Sequence, residues 1–163
     1  QSFRSFLIDE QQTTLDQVIY KYPFMPLAEA TIAVNTLGMA RHFFELATGI
    51  LKERKPKLGD EVYQIVANEI ATHQHKINVL SGSLYQSVHE SWSQLVQNKK
   101  VHDKSTRKIG VISRKLAKTC RGSVSAIYPY CGLAATSQHS EINRVFRDIF
   151  TASQHGLLTL PRS

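Results

Sequence analysis

The chain has 163 residues, of which 42% are hydrophobic, enough for one domain with a buried core. Its two cysteines, Cys120 and Cys131, are too few for a disulfide scaffold and fit reduced thiols in a cytoplasmic protein. The net charge is +7, the first twenty residues are too polar for a signal peptide, and no apolar run approaches the length of a membrane span.

In chain order, Phe3, Phe6, Leu7 and Ile8, then Leu15, Val18 and Ile19, read as a short strand-like lead-in. Pro23 and Pro26 mark the entry to a first helix, expected from about Leu27 to Glu53. It is apolar nearly all round, which places it at the centre of the fold. Gly38 and Gly49 weaken this helix and make sense where another backbone comes close. A polar loop is expected from Lys55 to Gly59, around Pro56.

Asp60 is a good N-cap for a second helix reaching Val96 or beyond, with apolar residues at three- and four-residue steps from Val62 to Leu95. Asp103 or Ser105 can cap a third helix, with Ile109, Ile112, Leu116, Val124 and Ile127 on its buried face and Pro129 as its stop. Residues Tyr128 to His139 read as a loop. Ser140 caps the fourth helix, where Glu141 suits the helix dipole. The expected fold is all-α: an antiparallel four-helix bundle of long helices.

The fourth helix carries the main site candidate. Read as one helix up to the stop at Gly156, it places Arg147, Thr151 and His155 at i, i+4 and i+8, on one face. Ile142, Val145, Phe146, Ile149 and Ala152 fill the opposite, core-facing stripe. A cation, a hydroxyl and an imidazole so grouped can handle a proton beside an anionic cofactor. The plainer alternative is a surface histidine favoured by the helix C-terminus. Arg144, Arg147 and Asp148 have a structural alternative too, a buried Arg–Asp pair tying the helix to the bundle. Of these, Asp148 is expected to be structural and Arg147 to lie near the site.

Nine cations between Lys99 and Arg121 face a single acid, Asp103. Such a stripe attracts phosphates, or is simply a solvated face. Aromatic residues do not interleave with it, which disfavours nucleic acid. There is no glycine-rich phosphate loop and no Gly-x-Ser-x-Gly elbow. His73 and His75 are two apart, point to different helix faces and form no zinc pair; with His89 they read as surface or rim residues.

The order of motifs resembles the C-terminal part of the acyl-CoA dehydrogenase superfamily, and most of all its two-component flavin-dependent monooxygenases, the hydroxyphenylacetate and dibenzothiophene type. The resemblance rests on Tyr20-Lys21-Tyr22-Pro23-Phe24, on Leu37-Gly38-Met39-Ala40-Arg41, and on Arg144-x-x-Arg147-Asp148 followed by Ser153-Gln154-His155. It covers about Tyr20 to His155. It implies that a helical domain and a small β-domain precede such a bundle. On that basis residues 1–22 are expected to be a lead-in from a β-domain, 23–156 the bundle and 157–163 a tail.

The resemblance further implies that His155 lies over a flavin, FAD or FMN, bound only in the full-length protein, and supports the reaction of reduced flavin with dioxygen. Arg147 and Thr151 would contact that cofactor. Arg54 and Gln64 would correspond to the Arg and Gln with which dehydrogenases of this fold touch the cofactor of a neighbouring subunit; here Leu58 replaces the usual Phe before Gly59, and the Gln lies closer to the Gly than usual. A homotetramer and a separate flavin reductase are the implied partners, with no membrane and no metal, and the fragment alone is expected to be inactive. After the last helix many dehydrogenases carry a glutamate base. Gln154 to Leu158 contains no carboxylate, which favours the monooxygenase. The alternatives are a dehydrogenase bundle with FAD and a divergent base, and a non-enzymatic basic bundle binding nucleic acid or a protein.

Overall fold

A computed structural model describes residues 15–159. The expected lead-in over Phe3–Ile8 and the tail beyond Thr159 lie outside the described residues. Within them, Val18–Lys21 forms a 3-10 turn instead of continuing a strand. Four helices follow: α1 Phe24–Leu58, α2 Asp60–Asn98, α3 Asp103–Ile127 and α4 Glu141–Ala152. Two 3-10 turns, Tyr128–Cys131 and Leu133–Thr136, bridge α3 to α4, and a single turn, α5 Gly156–Thr159, closes the described chain. The helices alternate in direction along the chain. α1 and α2 are the long members, about 50 to 60 Å at 1.5 Å per residue; α4 is the short one, at 12 residues.

α1 is the central helix and packs on α2, α3 and α4. Its inward stripe of Ala33, Leu37, Ala40, Phe43, Phe44, Ala47 and Leu51 is buried, as the all-round apolar pattern requires. It starts earlier than expected and ends later. Pro26 sits in the first turn, where a missing N–H costs nothing. Pro56 lies inside the last turn rather than in a loop. There it removes one terminal bond only, while Leu58 still packs against the core. Gly59, at φ +78°, then turns the chain and serves as N-cap of α2, so Asp60 is the first helical residue instead of the cap.

No backbone approaches Gly38 or Gly49. A Cβ at either position would meet nothing within 4 Å, so the expected close contact is not made among the described residues. α3 starts after His102 with no side-chain cap, so neither Asp103 nor Ser105 plays that part. It ends where Pro129 requires. α4 is capped as expected, with Ser140 Oγ accepting from the Asn143 N–H at 3.4 Å. The joint before it is held by Tyr128, whose hydroxyl donates to the Ala135 carbonyl at 2.8 Å and whose ring stacks on Phe146 at 4.0 Å.

A charged pair sits in the core. Glu29 is fully buried on the α1 stripe and accepts from Arg114 Nη1 of α3 at 2.7 Å. Among the basic residues from Lys99 to Arg121, Arg114 turns inward to this pair, while Lys108 meets Glu90 at 3.1 Å on an exposed face. His73 is half-buried, with Nδ1 hydrogen-bonded to Ser123 at 3.0 Å, and so ties α2 to α3 rather than lying on the rim. Burial pushes the thiols of Cys120 and Cys131 up to about 12 and about 11. Among the described residues no helix is long and apolar enough to cross a membrane.

Candidate active site

α4 ends at Ala152, before His155. Ser153 caps its C-terminus and is buried, and its hydroxyl donates back to the Phe150 carbonyl at 3.2 Å. The chain turns here because Leu158 is drawn into the core, which requires α5 to fold back on α1 and α3. The expected i, i+4, i+8 face on one helix is therefore corrected: only Arg147 and Thr151 share α4. Helical packing also reaches past residue 156, into the stretch expected to be a tail.

His155 nevertheless shares a cleft with Thr151, both of them exposed. Both line an open cleft of about 640 Å³ between α1 and α4, together with Ile32, Asn35, Ala152 and Gln154. Such a volume lies in the range of small-molecule sites, about 300–1,000 Å³. His155 Nδ1 accepts from the Leu157 N–H at 3.2 Å, so the ring also caps α5. That bond assigns the proton of the neutral imidazole to Nε2, leaving Nε2–H as a donor. The Thr151 hydroxyl donates to the Arg147 carbonyl at 3.2 Å, so toward the cleft it offers lone pairs only.

Arg147 does not line the cleft. Thr151 and Ala152 are the α4 residues of this cleft, and Arg144, Val145 and Asp148 border a neighbouring one; Arg147, about 40° round the helix from Thr151, lines neither. Asp148 thus borders a groove, and Arg147 stands on the flank of α4 beside Thr151 without lining one. Nor do the ion pairs of α4 lie in the core. Arg144 reaches Glu141 at 3.4 Å and Asp148 at 3.6 Å, with all three half exposed.

Arg54 and Gln64 lie at the other end of the bundle. Asn35 and Arg54 are 19 residues apart on α1, about 28 Å at the helical rise. Arg54 Nη1 donates to the Tyr130 carbonyl at 2.6 Å, and its guanidinium covers Gly132, where a Cβ would stand 2.9 Å from Nη1. Arg54 therefore clamps the turn after α3, and Gln64 is exposed on α2. Neither shares a cleft with His155.

Sequence reasoning missed Asn35, which lies on the same α1 face as Ile32 and Met39. It also missed the junction at the start of α4, where His42 Nε2 bonds Glu141 at 3.0 Å and Nδ1 bonds Glu45 at 3.3 Å. These carboxylates raise the His42 pKa, and His42 in turn lowers that of Glu141. No local spacing signals a pair 99 residues apart.

The comparisons with known proteins bear on this arrangement. The family model described as acyl-CoA dehydrogenase, C-terminal domain, matches residues 30–159. The chain belongs to that family. The HsaA monooxygenase from M. tuberculosis shares the fold at a TM-score of 0.79 and 18% identity, over 90% of this chain and 38% of that one. The 3-HSA hydroxylase from Rhodococcus sp. RHA1 does so at 0.79 and 16% identity, over 88% of this chain and 38% of that one. The chain thus spans well under half the length of either structure. No curated protein sequence matches.

Proposed function

We propose that this acyl-CoA dehydrogenase-type bundle is the C-terminal domain of a flavin-dependent monooxygenase that uses reduced flavin and dioxygen. The observation that carries this reading is the cleft between α1 and α4, where His155 presents a fixed Nε2–H donor beside an apolar wall of Ile32 and Ala152. The donor set fits a flavin ring: a flat, largely apolar body with polar edges needs an apolar wall and one aimed donor. A bound flavin would supply the redox chemistry. His155 holds the proton at Nε2, donates it as a hydrogen bond where negative charge develops, and is kept from rotating by the Leu157 N–H.

Two features of the chain favour oxygenation over dehydrogenation. No carboxylate lies among the residues lining the His155 cleft, and Asp148 of the cleft beside it is paired with Arg144. The two solved structures of like fold are named a hydroxylase and a monooxygenase. On this reading Thr151 contacts the cofactor through its lone pairs and Arg147 reaches it from the flank of α4. Arg54 and Gln64 serve a second flavin, at a subunit boundary of a homotetramer, and a separate reductase delivers the flavin reduced. FAD and FMN fit equally.

The test is electron bookkeeping on the whole protein, including any chain that precedes residue 1. Reduced flavin is mixed with oxygen and substrate, and hydrogen peroxide is measured per flavin oxidised. His155→Ala should raise the peroxide share severalfold while leaving the thermal transition within a few degrees of the parent. An unchanged peroxide share would remove His155 from the chemistry.

A further inference from the structure

At Asn35 the His155 cleft adjoins a second one of about 480 Å³. Val34, Gly38, Met39 and His42 of α1 line one side of it, and Arg144, Val145 and Asp148 of α4 the other. Three observations bear on what lies there. The first is Gly38 itself. Glycine in the middle of a helix costs about 1 kcal/mol against alanine. Nothing among the described residues demands it, because a Cβ at Gly38 would meet no atom within 4 Å. A side chain at this position would instead project into the cleft.

The second observation is charge. Arg144 is already shared between Glu141 and Asp148, and Glu141 also holds His42. His42 and Arg144, the cleft's two basic side chains, already meet carboxylates, so an anionic ligand would compete with Glu141 and Asp148 for them, and a cationic one would have to displace Arg144. The third is Asn35, whose carboxamide makes no hydrogen bond to another described residue and borders both clefts. A carboxamide donates and accepts, and so suits an uncharged hydroxyl or carbonyl.

We propose that the second cleft seats the organic substrate: a neutral, largely apolar molecule lying along Gly38 and Met39, with one hydroxyl or carbonyl bonded to Asn35 at the border of the His155 cleft. The seat itself stands on this geometry. That its occupant is the substrate rests on the flavin reading above.

The test titrates the 163-residue chain with 2-naphthol, naphthalene and 2-naphthoate while following backbone amide NMR shifts. 2-Naphthol should move the amides of Asn35, Gly38, Met39 and Val145. Asn35→Ala should weaken 2-naphthol about tenfold, the loss of one hydrogen bond, and leave naphthalene unchanged. 2-Naphthoate should bind at least about tenfold more weakly than 2-naphthol, since its carboxylate would have to compete with Glu141 and Asp148 for Arg144 and would lie near Asp148. Gly38→Leu should abolish binding although the chain melts no lower than the parent; Gly38→Ala, a smaller intrusion, should weaken it severalfold. Gly49→Leu, on a glycine that lines neither cleft, should bind as the parent does. Shifts centred elsewhere, or parent-like affinity in Gly38→Leu, would overturn the seat. Naphthoate binding as tightly as naphthol would overturn the neutral class. Binding needs no flavin, so a seat that passes while His155→Ala leaves peroxide unchanged would sink the flavin reading alone.

Discussion

Gly110 and Glu29 show how tightly a single position can be set. The Glu29 carboxylate lies so close to Gly110 that a Cβ there would stand 2.6 Å from Oε2 and 2.8 Å from Oε1. Arg114, one turn on, supplies the guanidinium. Gly→Ala inside a helix normally gains about 1 kcal/mol. Here Gly110→Ala should instead destabilise, because the methyl forces a buried ion pair apart. Arg114→Ala should also destabilise, by about 1.5–3 kcal/mol, the range of one hydrogen bond to a charged group. Urea denaturation of the chain measures both; a stabilised Gly110→Ala would show that the pair has room to move. Half of this was readable in advance. Glu29 falls on the stripe that continues through Ala33, Leu37 and Ala40, and a charge on a buried stripe needs a partner. Which of many cations answers it depends on how α1 and α3 register, and no local spacing encodes that.

At the scale of elements, α4 matters most, because it walls the cleft. Its start was legible: Ser140 has the side chain an N-cap requires, and it caps. Its end was not. Periodicity runs on to His155, but the burial of Leu158 turns the chain earlier, and a tertiary demand of that kind leaves no trace in the helix itself. Pro56 misled in the opposite sense, since a proline costs little in a last turn that still has Leu58 to bury. α4 is also tied to α1 by His42 and Glu141, and this tie should depend on pH. The folded pKa of His42 lies above its ordinary value of 6.5, held there by Glu141 and Glu45. Its contribution is therefore complete below about pH 6.5 and is lost as pH rises through the folded value. The contribution is small, because the pair is solvated. His73 acts with the opposite sign: burial and Lys76 lower its pKa, so its share is present above 6.5 and is lost as pH falls. The expected result is that His42→Gln flattens the fall in melting temperature between pH 6 and 8, while His73→Gln flattens the fall between pH 6.5 and 5. Profiles unchanged by either variant would show that neither ring is held as described.

Over the whole molecule, the bundle separates two sets of candidate contacts. His155, Thr151 and Asn35 gather at one end of the α1–α4 groove, and Arg54 and Gln64 lie about 28 Å further along α1. One compact flavin ring cannot touch both sets in the same chain, so the two belong to different cofactors or to different jobs. Arg54 already has one, since it clamps Tyr130 and Gly132. The all-α architecture was legible from long apolar periodicities alone, and the family from the order of short motifs. The cleft was not, because its walls come from positions 32–42 and 144–155, joined only when the chain folds. The most direct measurement is a structure of the whole protein with reduced flavin bound. The ring should lie over the α1–α4 cleft, with its edge within about 3 Å of His155 Nε2; a ring bound elsewhere, with no contact to His155, would contradict the flavin site at this cleft.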